Sequence, residues 1–142
     1  VGKSGSGKTT TVTMLKELSG SHGSSKLSVE VLCDDRNAVR RWTVGWHEHA
    51  TWSQGDVADV SPTSAPLRAV LFLRQATCNE MVPLTDRKEI WRLLLSTLVK
   101  PMVTADWWHK EMDVIEKMVS ELPFYTMRFD KSGAIVQVLA RL

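Results

Sequence analysis

Cysteine is scarce in this 142-residue chain, which has two, Cys33 and Cys78. They stand far apart and match no metal-ligand spacing, which excludes a disulfide framework and a cysteine-based zinc site. They read as reduced thiols of a cytoplasmic protein. Charge of one sign is lacking too. The 18 Lys and Arg against 16 Asp and Glu leave a formal charge of +2, too little to argue for a nucleic-acid partner or a membrane surface. No long apolar run and no charged-then-apolar leader occurs, so neither membrane insertion nor export is expected. Internal repeats are missing as well. What remains is 43% hydrophobic and 24% charged, the composition of one globular domain over residues 1–142 with enough chain for a core.

Against that ordinary background one motif stands out. Residues 2 to 9 read Gly2-Lys3-Ser4-Gly5-Ser6-Gly7-Lys8-Thr9, a full match to the phosphate-binding pattern G-x-x-x-x-G-K-[ST]. A chance match in a chain of this length has a probability of roughly half a percent. The glycines let successive backbone N–H groups point into one nest around a phosphate. Lys8 would reach the β/γ-phosphate oxygens, and the Thr9 hydroxyl would sit on Mg²⁺. With Thr10, residues 2–10 form the candidate nucleotide-binding set. Val12, Leu15 and Leu18 follow at helical spacing, so the loop opens a helix over 7–19 whose positive end faces the anion. The competing reading is a Gly/Ser linker with two lysines, which that apolar stripe disfavours. Such a loop normally follows a buried strand. Val1 therefore reads as the last residue of one, and the chain as an N-terminally truncated piece of a longer protein.

Further along, the sequence alternates strand-like and helix-like stretches. Leu27 to Cys33 is β-branched and alternating and ends in Asp34-Asp35, the general form of a strand that delivers a carboxylate to a nucleotide-bound metal. One acid can serve the metal and the other can act as general base. A turn-initiating Asp pair is the bland alternative. Strands are expected over 38–44 and 67–73, with short ones around Trp46 and Trp52, and 79–84 reads as a loop. Thr85 can cap a helix with Ile90, Trp91, Leu94, Leu95 and Leu98 on its apolar face, ending at Pro101. Thr104 can cap another, with Trp108, Met112, Ile115, Val119 and Leu122 on one side. Trp91 and Trp108 read as core. Residues 124–129 alternate as a strand. Asp130 or Ser132 starts a final short helix to Leu142, with a strand as the alternative. His47 and His49 at i, i+2 would face one way on a strand, but no third metal ligand is evident.

Three stretches together carry a family resemblance: residues 2–9, Leu32-Cys33-Asp34-Asp35-Arg36, and Ser64-Ala65-Pro66-Leu67-Arg68-Ala69-Val70-Leu71-Phe72-Leu73. With Leu122-Pro123-Phe124-Tyr125 they resemble the C-terminal kinase domain of the HPr kinase/phosphatase family, and most of all its diverged members associated with peptide-modification systems. The resemblance implies an α/β fold of the phosphoenolpyruvate-carboxykinase type, with a mixed sheet and C-terminal helices. It implies ATP, or a related phosphate donor, with Mg²⁺, and transfer to a serine of a protein or peptide partner. Donor phosphates would lie on Gly5, Ser6, Gly7 and Lys8. Mg²⁺ would lie on Thr9 and Asp35, with Asp34 as base. Family members form oligomers, so a homo-oligomer is a further implication. The family's glycine-rich signature after the acidic pair has no counterpart here, which argues against phosphatase activity. Arg36 and Arg68 are candidates for binding phosphate, or plain surface charge. Two other functions stay open: a small-metabolite kinase, which would need an arginine-bearing lid, and a non-catalytic nucleotide-binding accessory protein.

Overall fold

The structure is a computed structural model and describes residues 1–3, 5–20, 29–53, 55, 57, 60–100 and 104–139. The architecture is mixed α/β. Helix α1 spans Lys8–Gly20. Strands β1 (Asn37–Trp42), β2 (Gly45–Ala50) and β3 (Ser64–Pro66) follow, then β4 (Val70–Gln75) and β5 (Glu80–Pro83). Helices α2 (Arg87–Thr97) and α3 (Ala105–Glu121) precede β6 (Phe124–Phe129) and the short α4 (Ile135–Leu139). The strands form two three-stranded sheets rather than the single mixed sheet expected. One is an antiparallel meander, β1-β2-β3, and the other has the order β4-β6-β5.

The second sheet organises the molecule. β4 and β6 pair in parallel from Val70↔Phe124 to Gln75↔Phe129, and β5 runs antiparallel along the other side of β6. Alternation along β4 sends its side chains to two cores. Val70 and Phe72 join Phe124, Ile90, Leu94, Ile115, Met118, Val119 and Trp46 on one face. Leu71 and Leu73 pack with Met127, Phe129, Ile135 and Met14 on the other. Helices α2 and α3 therefore cover one face, and α1 with α4 the opposite one. Covered on both faces, β4 carries an unbroken apolar run from Val70 to Leu73 before its exposed Arg74 and Gln75.

The meander is fastened to the helical layer through Trp46. Its indole N–H donates to Glu121 Oε2 at 2.8 Å, and Arg41 Nε donates to the same oxygen at 2.7 Å. These bonds hold the Glu121 carboxyl below its ordinary pKa, Arg41 contributing most. They also offset the poor placement of an acid in the last turn of a helix. Two residues on, Glu48 faces the same way as Trp46, opposite Val39 and Ala65. Burial there pushes its carboxyl pKa up.

Several expectations are corrected. Residues 29–33 form no ladder. Among the described residues a single backbone–backbone bond, Ser61 N to Leu32 O, ties them down, and Ser61 and Thr63 hydroxyls donate to Glu30. Residues 27 and 28 lie outside the described set, as do His22, Pro101 and residues 140–142, over which the last helix was expected to continue. The supposed loop at 79–84 contains β5, because β6 offers it an unpaired edge. The predicted strand at 67–73 begins at Val70, and none forms at Trp52, which is 93% exposed. Helix α2 is capped by Asp86, whose carboxylate accepts from Lys88 N, and not by Thr85. Thr104 occupies the N-cap of α3 but makes no side-chain cap bond.

Met127 is 1% exposed at the centre of β6. Met127→Ala is expected to cost about 2–5 kcal/mol, read from the urea midpoint at unchanged m-value. A carboxyl with a raised pKa in the fold stabilises fully below its unfolded pKa, and that contribution is lost as pH rises through the folded value. Glu48→Gln is therefore expected to raise the melting temperature near pH 7 and to lose that advantage near pH 4, below the ordinary value of 4.5.

Candidate functional site

The glycine loop sits at the carboxyl ends of the parallel strands. Val1 N donates to Leu71 O at 2.5 Å and Leu73 N donates to Val1 O at 3.0 Å, the bonding pattern of a parallel neighbour to β4. From there the chain crosses over the strand ends and enters α1. Gln75 Nε2 donates to Gly5 O at 3.0 Å, fixing the loop to the last residue of β4. Gly7 has φ +95, and a Cβ on it would lie 2.5 Å from Phe129 Cζ. The loop thus rests directly on the last residue of β6, and only glycine fits there.

The first turn of α1 carries no acidic side chain. Its N-terminus bears Lys8 instead, against the preference of the helix dipole, which leaves this end strongly electropositive. Lys8 Nζ is folded back over the loop, donating to Gly2 O at 3.0 Å and Lys3 O at 3.2 Å. An ammonium has three donors, so these two bonds leave one for an anion. Ser6 Oγ is buried and has no hydrogen-bond partner among the described residues. Thr11, buried, bonds back to Gly7 O and stiffens the turn. Ser4 falls outside the described residues.

Across from the loop stands Asp34, which is 7% exposed. Its Oδ2 accepts from Thr9 Oγ1 at 3.4 Å and from Val57 N at 3.1 Å, and its Oδ1 accepts from Gly55 N at 3.1 Å. The resemblance puts Mg²⁺ on Thr9 and Asp35, but the acid that stands beside the Thr9 hydroxyl is Asp34. Asp35 turns to the outer wall, where Oδ2 accepts from Ser53 Oγ at 2.8 Å and lies 3.5 Å from Arg36 Nε. The reason is local. Without a ladder at 29–36, the backbone at Gly55 and Val57 captures one carboxylate and pulls it inward. Between loop and acids lies a cleft of about 430 Å³ lined by Gly5, Gly7, Lys8, Thr9, Thr10, Asp34, Asp35, Gly55 and Gln75.

Two hard oxygen donors, Thr9 Oγ1 and the Asp34 carboxylate, thus meet across the cleft, 3.4 Å apart. That donor set suits Mg²⁺, which takes one or two protein oxygens and completes its shell with water and phosphate. The other candidates are elsewhere. Arg68 is exposed and outside the cleft. His47 and His49 lie against Trp42, at ring distances of 4.7 and 5.1 Å. No group of three metal-ligating side chains occurs among the described residues. No helix among them is long and apolar enough to cross a membrane. Both cysteines are free, Cys33 buried and Cys78 exposed.

Compared with protein-family models, curated proteins and solved structures, the chain matches none.

Gly55 and Gln75 are the site residues that reading the sequence missed. Gly55 left a signal, an isolated glycine in a turn-rich stretch. A Cβ there would lie 2.3 Å from Asp34 Oδ1. Gly55→Ala is therefore expected to displace the carboxylate, break its bond to the backbone and cost about 1–3 kcal/mol in chemical denaturation.

Proposed function

We propose that this chain is an HPr-kinase-like phosphotransferase, taking the terminal phosphate of a nucleoside triphosphate with Mg²⁺ and passing it to a serine of a protein or peptide. The observation that carries the reading is the Thr9 hydroxyl and Asp34 carboxylate, 3.4 Å apart, facing the cleft beneath the lysine-bearing glycine loop. The peptide acceptor comes from the family resemblance of residues 2–9, 32–36 and 64–73.

The loop N–H groups and Lys8 bind the β- and γ-phosphates and orient the donor. Thr9 and Asp34 would hold Mg²⁺, which would supply positive charge against that developing on the transferred group. Asp35 takes the part of general base. It lines the same cleft, and its carboxylate is positioned by Ser53 and Arg36 rather than committed to Thr9. The serine oxygen attacks the γ-phosphorus as the bond to the β–γ bridging oxygen breaks. The serine proton passes to Asp35. This assignment exchanges the roles that the resemblance alone suggested for the two acids.

Lys8→Ala is expected to lower transfer at least 100-fold. Asp35→Asn is expected to keep ATP and Mg²⁺ binding while lowering transfer by about 10²–10⁴. Asp34→Asn is expected to lose Mg²⁺-dependent binding itself. Mass spectrometry of a serine-bearing peptide after incubation with ATP and Mg²⁺ reads the transfer. Bound nucleotide with no gain of phosphate on any acceptor would favour the accessory-protein reading instead.

A further inference from the structure

A second cleft, of about 240 Å³, adjoins the first and shares Gly7, Thr10 and Gln75 with it. Its remaining lining is Ala76, Phe129, Asp130 and Lys131. The chemistry differs from that of its neighbour. Phe129 is 2% exposed and its ring lies against Gly7, while Ala76 N donates to Phe129 O at 2.9 Å. These two give an apolar floor. The Asp130 carboxylate is held in a turn by Ser132 N and the Ser132 hydroxyl, and Lys131 adds a cationic rim. An apolar floor with a few fixed polar groups suits a small organic ligand, and because the two clefts adjoin, one ligand can span both.

Direction follows from charge. The terminal phosphate belongs beside Lys8, Thr9 and Asp34, the residues that would hold it and its metal. Beyond it the cleft is closed by Asp35 and Gly55. A donor extending away from that acidic end leaves past Thr10 and Gly7, and enters the second cleft.

We propose that the second cleft holds the nucleoside half of the donor, with Phe129 and Ala76 beneath the base and Gln75 as the partition between base and phosphates, so that the protein uses a nucleoside triphosphate and not an inorganic polyphosphate. This rests on the phosphate reading of the first cleft. It also leaves the Asp35 side of the first cleft for the acceptor hydroxyl.

The test compares Mg²⁺·ATP with Mg²⁺·tripolyphosphate by calorimetry. The parent protein is expected to bind ATP at least about tenfold more tightly, a difference of about 1.4 kcal/mol. Ala76→Trp fills the second cleft, and is expected to bring ATP down to the tripolyphosphate level while tripolyphosphate affinity and melting temperature stay unchanged. Ala76→Leu gives a milder version of the same loss if the Trp variant is unfolded. Equal affinities in the parent, or undiminished ATP binding in folded Ala76 variants, would overturn the inference and leave the phosphate reading standing. If neither compound binds the parent, both fall together.

Discussion

The parallel pairing of β4 with β6 is the constraint on which the rest depends. Its register ends at Gln75↔Phe129, so an amide and an aromatic ring arrive together at one edge of the sheet. The loop is built on those two residues. Gln75 holds the Gly5 carbonyl, and Phe129 leaves room for nothing larger than glycine at position 7. A one-residue slip would send Phe129 to the other face and remove the loop's floor. That register is in turn fixed by burial on both faces, since Val70 and Phe72 belong to one core and Leu71 and Leu73 to the other. Ligand sites at the carboxyl ends of parallel strands are a general consequence of such packing.

The opposing wall is built differently. Residues 29–36 carry no ladder and are stitched to 51–63 by side chains: Cys33 to Ser53 O, Thr51 to Arg36 O, and Asp34 to Gly55 and Val57. Each bond is weak alone, worth about 0.5–1.5 kcal/mol net. Together they place one buried acid beside Thr9 and one exposed acid at the mouth. A strand at this place would alternate the two side chains across its faces. The irregular segment instead gives adjacent carboxylates two distinct environments within one cleft.

Sequence patterning made much of the scaffold legible. The helices α1, α2 and α3 and the strands β1, β4 and β6 were predicted from periodicity to within a few residues, because all but the largely exposed β1 have an apolar face that must be buried. The failures share a physical cause. Residues 27–33 have the composition of a strand, but composition does not reveal whether a neighbouring edge is open to pair with. β5 was read as a loop for the converse reason, since β6 supplies an edge that four residues can use. The acids were found as a pair, but which one meets Thr9 depends on the backbone at Gly55 and Val57, twenty residues away. Gln75 carries no local pattern at all. It matters only because β4 ends where the loop begins.

The central claim is that the glycine loop binds the phosphates of a nucleotide. Backbone amide NMR during titration with Mg²⁺·ATP tests it directly. The account predicts that the amide resonances of Gly5, Gly7, Lys8 and Thr9 shift most, as their N–H groups take up phosphate oxygens. Saturable shifts confined to the outward face of β2 around His47 and His49, with the loop amides unmoved, would contradict it.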